Sequence, residues 1–132
     1  MASHIGISEY LANGWLGTLR NIPFVVPVTC VQLHTDDPGL GGTSNVFAGA
    51  SDLLAASFAD PAGGILVTTG APPSWDVSSA GSIKYASVWD GFDSGSDNWL
   101  LNAVLSSPQT VANGDVFRLG GNITLKITGL VG

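Results

Sequence analysis

The chain has 132 residues, 45% of them hydrophobic, enough to bury one core and too few for two ordinary domains. Only 11% are charged, so the surface is largely neutral and favours association over repulsion. Ten acids against four bases leave a net charge of −6, which excludes a basic footprint for nucleic acid or for an anionic membrane.

The start, Met1-Ala2-Ser3-His4, lacks a basic leader with a long apolar run behind it, and no stretch reaches about 18 uninterrupted apolar residues. Neither signal-peptide secretion nor membrane insertion is expected. Between Ile5 and Arg20, the residues Ile7, Leu11, Trp15 and Leu19 recur every four positions. That spacing predicts one amphipathic helix within residues 1–21, capped by Ser3 or Ser8, whose apolar stripe docks on a partner surface. Gly6 and Gly14 weaken it by about 1 kcal/mol each, so packing must supply its stability.

Pro23 and Pro27 end the helical pattern, and Thr29 to Thr35 reads as the first strand of a β region spanning 28–132. Cys30, the only cysteine, falls inside that apolar run and is expected as a buried free thiol. Asp36-Asp37-Pro38-Gly39 with Gly41-Gly42 then marks a surface loop. From about Leu53 onward, short apolar runs alternate with turn residues, as in a sandwich or barrel; Ile65 to Thr69 is one such run.

Ile83, Tyr85 and Trp89 alternate with Lys84, Ala86 and Val88, and Trp99, Leu101, Ala103 and Leu105 repeat with period two. These predict a central hairpin joined by a protruding loop, Asp90 to Asp97. Asn113-Gly114 is a further hairpin signal, and Ile123, Leu125 and Ile127 predict a last strand with one wet face. The expected fold is a single domain over 1–132: mostly β, an antiparallel, jelly-roll-like β-sandwich with one N-terminal amphipathic helix.

Titratable groups that could converge on a reaction are few: His4, His34 and one apolar cysteine. His34 beside Asp36 and Asp37 reads as a strand end entering a turn, and Asp90, Asp93 and Asp97 lack the one-three-five spacing of a calcium loop. No catalytic residue, metal or cofactor is expected. Asn122-Ile123-Thr124 matches a glycosylation acceptor but reads as a polar strand face. Trp15, Trp89 and Trp99 fall on apolar faces and are assigned to packing. Trp75 follows Pro72-Pro73-Ser74 in a stretch that reads as a loop. It heads the expected contact surface, with Asp76, Phe92 and Asp93, while Ile7, Leu11, Trp15 and Leu19 form the expected docking helix.

Several segments occur together and in order: Tyr10-Leu11-Ala12-Asn13 with Leu16-Gly17, Val31 to Gly39, Ala86-Ser87-Val88-Trp89-Asp90, Trp99-Leu100, and Thr110 to Phe117. In this combination the chain resembles a family of short actinobacteriophage minor tail or tail-fibre-like virion proteins. It departs from that pattern after Asn45, at Ala48-Gly49-Ala50-Ser51-Asp52-Leu53-Leu54. The resemblance implies a non-enzymatic component of the virion, assembled in the host cytoplasm. Its expected partners are further copies of itself, as a homo-oligomer taken to be a trimer, and other virion proteins, with a host-surface glycan as a further candidate. The alternatives are a capsid decoration protein on the head shell and, from another class, a free carbohydrate-binding module.

Overall fold

The computed structural model of the chain describes residues 4–60, 62, 65–119 and 124–126. The first element is a two-residue strand, β1 (Gly6–Ile7), followed by helix α1 (Glu9–Gly17) and a 3-10 turn, Thr18–Arg20. The helix starts later than its apolar spacing suggested because Ser8 caps it: the Ser8 hydroxyl accepts from Leu11 N–H at 3.1 Å, and its own backbone is extended. Ile7 is therefore extended too, paired with Leu101. Asn21, in the left-handed region at φ 63°, turns the chain back. Phe24 then packs where a side chain on residue 14 would stand, and its ring meets Tyr10 edge-on at 5.6 Å. Gly14, costly for the isolated helix, is what lets the returning segment lie against it.

The remaining elements are strands β2 (Cys30–His34), β3 (Leu54–Ala55), β4 (Ser57–Phe58), β5 (Ile65–Thr69), β6 (Ser74–Asp76), β7 (Gly81–Trp89), β8 (Trp99–Val111), β9 (Val116–Arg118) and β10 (Thr124–Lys126). All pairs are antiparallel, in the orders β1-β8-β7-β2-β3, β10-β5-β4 and β6-β9. The chain is mostly β with one N-terminal helix, as expected. The alternation expected for Ile123 and Ile127 lies outside the described residues.

Cross-strand rows explain the central sheet. Val31, Val88 and Leu101 stand side by side, as do Leu33, Ala86 and Ala103, and these rows feed the core. Between them runs a polar row, Gln32, Ser87 and Asn102, on the opposite face. The simple alternation read for β7 fails at an irregularity between Ile83 and Tyr85. Across it Ile83 joins Ala86 and Val88 in the core, while Tyr85 does not. The same buried cluster includes Leu11 from α1 and Trp75, Val77 and Phe117 from the β6–β9 side, which gives the sheets their sandwich-like layering.

Asn113-Gly114 does form a turn, with Gly114 at φ 92°, but not a hairpin. The strand before it pairs with β7 and the strand after it pairs with β6.

Candidate contact surface

The expected contact surface divides in two. Trp75 is not in a loop: it is the middle residue of β6, opposite Phe117, with ring centroids 6.1 Å apart. It is 2% exposed, and its indole N–H donates to the Asp52 carbonyl at 2.8 Å. An aromatic ring held in the core cannot stack on a sugar or seat a neighbour, so Trp75 is corrected from contact residue to packing residue. Asp76, next along the strand, is exposed.

Phe92 and Asp93 sit where expected, in the loop between β7 and β8, and Phe92 is 60% exposed. Loop acids build the support for that ring. Both Asp90 carboxylate oxygens accept from Asn98, at 2.8 Å from its backbone N–H and 2.9 Å from its side chain. Asp97 Oδ2 accepts from Asp93 N–H at 2.9 Å, and Asp93 Oδ1 accepts from Gly95 N–H at 2.8 Å. The Gly95 N–H, with Ser96 second, holds the Asp93 carboxyl below the usual carboxylate value. A side chain at Gly91 would collide with the Asp97 carboxylate. The carboxylates are spent on shaping the turn, and no group of three or more metal-ligating side chains occurs among the described residues.

The expected docking stripe is also redistributed. Of Ile7, Leu11, Trp15 and Leu19, only Leu11 reaches the core; Ile7 is on β1, and Trp15 and Leu19 face outward, at 39% and 83% exposed. Trp15 is thus corrected from core to surface. With Leu16, Ile22 and Val25 they leave an apolar strip along α1 and the segment after it. No helix among the described residues is long and apolar enough to cross a membrane.

One constellation was missed by sequence reasoning. His34 and Ser87, both fully buried, meet with Nε2 and Oγ 2.7 Å apart, while His34 Nδ1 lies 2.7 Å from the Ser44 carbonyl. A carbonyl only accepts, so Nδ1 carries the proton and Nε2 accepts from the Ser87 hydroxyl. That hydroxyl also accepts from Trp89 Nε1 at 2.8 Å. The atoms match a nucleophile–base pair, but the orienting group is a neutral carbonyl instead of a carboxylate, and neither side chain meets solvent.

Here the pair fastens the loop after β2 to the sheet. Asn102 does the same nearby, donating to the carbonyls of His4 and Gly39 at 2.8 and 2.9 Å. The available signal was three polar residues, Gln32, Ser87 and Asn102, inside otherwise apolar strands. Burial, with Asp97 and Asp90 adding to it, pushes the neighbouring Cys30 thiol up and keeps it protonated.

None of the curated proteins matches the chain. The tail-fibre character of the sequence resemblance has independent support, whereas its actinobacterial and minor-tail details go beyond that support. Residues 6–126, from β1 to the end of β10, match the family described as podophage GP4 fiber I protein gp80, and the chain belongs to that family.

Proposed function

We propose that the chain is a tail-associated structural protein of a phage virion, a fibre-like module that assembles with other virion proteins and itself and does no chemistry. The observation that carries this reading is the family match across residues 6–126. The architecture is consistent with it: an apolar outward strip at the N-terminal helix suits attachment, and the braced loop carrying Phe92 suits contact with a neighbour or with a host-surface glycan. The burial of His34 and Ser87 favours a fastening role for that pair over an enzymatic one.

Antibody labelling of intact particles, viewed by electron microscopy, tests the reading. Label at the tail is the expected result. Label over the head shell would replace the reading with capsid decoration, and absence of the chain from purified particles would overturn it.

A further inference from the structure

We infer that Asn113 is a self-modification site: its side-chain amide is lost to attack by the Gly114 backbone nitrogen, a reaction that the Val77 carbonyl restrains while the turn is closed. An asparagine followed by glycine suits this reaction, because glycine has no side chain to obstruct the approach of its nitrogen to the asparagine Cγ. The chain has two such pairs, Asn13-Gly14 and Asn113-Gly114. The first lies inside α1, where the helix ladder takes up the backbone N–H groups and fixes the chain on both sides. The second lies in an exposed turn, and the Asn113 side chain makes no hydrogen bond to another described residue.

The reaction needs only water. The Gly114 N–H gives its proton to solvent base, and the nitrogen bonds to Asn113 Cγ. The Cγ–Nδ2 bond breaks, and the amide nitrogen takes a proton from solvent and leaves as ammonia. Water then adds to either carbonyl of the resulting five-membered succinimide, breaking that carbonyl's bond to nitrogen. Opening at Cγ leaves aspartate. Opening at the backbone carbon leaves isoaspartate, with Cβ now part of the main chain.

The folded turn opposes the first step. Gly114 N–H donates to the Val77 carbonyl at 2.8 Å, and Val77 N–H donates back to the Asp115 carbonyl at 2.8 Å. Asp115 also closes the turn on itself: its N–H donates to the Ala112 carbonyl at 3.0 Å, and its Oδ2 accepts from Ala112 N–H at 2.8 Å. Ring closure requires rotation about the Asn113 Cα–C bond to carry the Gly114 nitrogen toward the side chain, and that rotation breaks the bond to Val77. The acceptor on this N–H also makes its proton harder to lose.

Residue 113 therefore records openings of the link between two sheets, since β8 pairs with β7 before the turn and β9 pairs with β6 after it. Isoaspartate lengthens the main chain at that link. The site is independent of where on a particle the chain sits.

The test ages the full chain in mildly alkaline buffer, with and without concentrated guanidinium chloride. Peptide mapping by mass spectrometry and enzymatic isoaspartate methylation follow both pairs. In denaturant Asn13 and Asn113 should convert at similar rates, with ammonia released in step. In buffer Asn113 should convert at least about tenfold more slowly than in denaturant. Asp115→Ala keeps the reacting pair and removes the Oδ2 brace. In buffer this variant should speed both Asn113 conversion and Gly114 amide exchange about tenfold, and leave Asn13 unchanged.

Conversion of Asn113 as fast in buffer as in denaturant would overturn the inference, and so would no conversion in denaturant. An Asp115→Ala chain whose Gly114 amide exchanges faster without faster conversion of Asn113 would also overturn it. Equal acceleration at Asn13 would do the same, because the protection would then belong to the fold as a whole and not to the Val77 bond.

Discussion

His34 Nε2 and Ser87 Oγ lie 2.7 Å apart with no solvent beside either, so the imidazole is held neutral between a hydroxyl that donates to it and a carbonyl that accepts from it. Protonation at Nε2 would set an N–H against the Ser87 hydrogen and leave a charge in an apolar setting. Burial is the main cause that lowers the His34 pKa from 6.5, with the bond to the Ser44 carbonyl opposing it.

The consequence is a pH dependence of known sign. The unfolded chain binds the proton more readily than the folded one, so stability is full above about pH 6.5 and falls as pH drops toward the folded value. Asp37 works in a separate window: the Gly39 N–H first, then His4, lower its pKa, so its contribution is lost only on further acidification, from about pH 3.8 downward. The melting temperature measured between about pH 7 and pH 5 should fall, and the slope should flatten in His34→Gln. An equal slope in both proteins would remove His34 as the cause.

Trp75 gives the second expectation, one opposite in sign to what its sequence context suggests. Removing a buried indole that packs on Phe117 and donates to Asp52 leaves a large cavity and an unpaired carbonyl. Trp75→Ala should cost about 3–5 kcal/mol, measured by urea unfolding, whereas Trp75→Phe should keep much of the packing and lose the hydrogen bond. A Trp75→Ala variant as stable as the parent would contradict the β6–β9 register.

What made Trp75 illegible explains the limits of sequence reading here. Strands β7 and β8 are long, close in sequence and patterned, so their hairpin could be read from period two alone. β6 is three residues long, sits behind two prolines, and finds its partner β9 some forty residues later. Local pattern carries no trace of such a pairing. The N-terminal stripe failed differently: the four-residue spacing of Ile7, Leu11, Trp15 and Leu19 is helical in form, but the Ser8 cap begins the helix after Ile7. Of the candidate contact residues, the loop pair Phe92 and Asp93 was legible because glycine and aspartate announce turns regardless of tertiary context.

Of the glycines that mark close approaches, Gly42 and Gly91 carry expected defects of different kinds. Gly42 has φ +70°, and a Cβ there would fall on the Trp99 indole, 2.6 Å from Nε1. Gly42→Ala combines backbone strain with a displaced ring whose N–H donates to Asn102, and should cost about 1–3 kcal/mol. Gly91→Ala should act locally instead. Its methyl would push the Asp97 carboxylate off Asp93 N–H and loosen the loop, readable as faster amide exchange at Asp93 and Gly95 with the melting temperature changed by a few degrees at most. Protection at Asp93 unchanged from the parent would show that the loop does not depend on that carboxylate.

Phe92 completes the separation of scaffold from surface. Phe92 is 60% exposed in a loop whose shape comes from hydrogen bonds made by Asp90, Asp93 and Asp97, none of which uses the ring itself. Removing it therefore takes nothing from the core, and Phe92→Ala should stay within about 0.5 kcal/mol of the parent in denaturant unfolding. If the loop is where the particle meets a neighbour or a host glycan, an exposed aromatic on a rigid support is the group expected to hold most of that contact. Particles carrying Phe92→Ala should then adsorb to host cells, or bind the neighbouring virion protein, at least about tenfold more weakly, while Asp76→Asn on the opposite pair of strands has no such effect. Normal adsorption and normal assembly by Phe92→Ala particles would exclude the loop as a contact site and leave the α1 strip as the surface through which the chain acts.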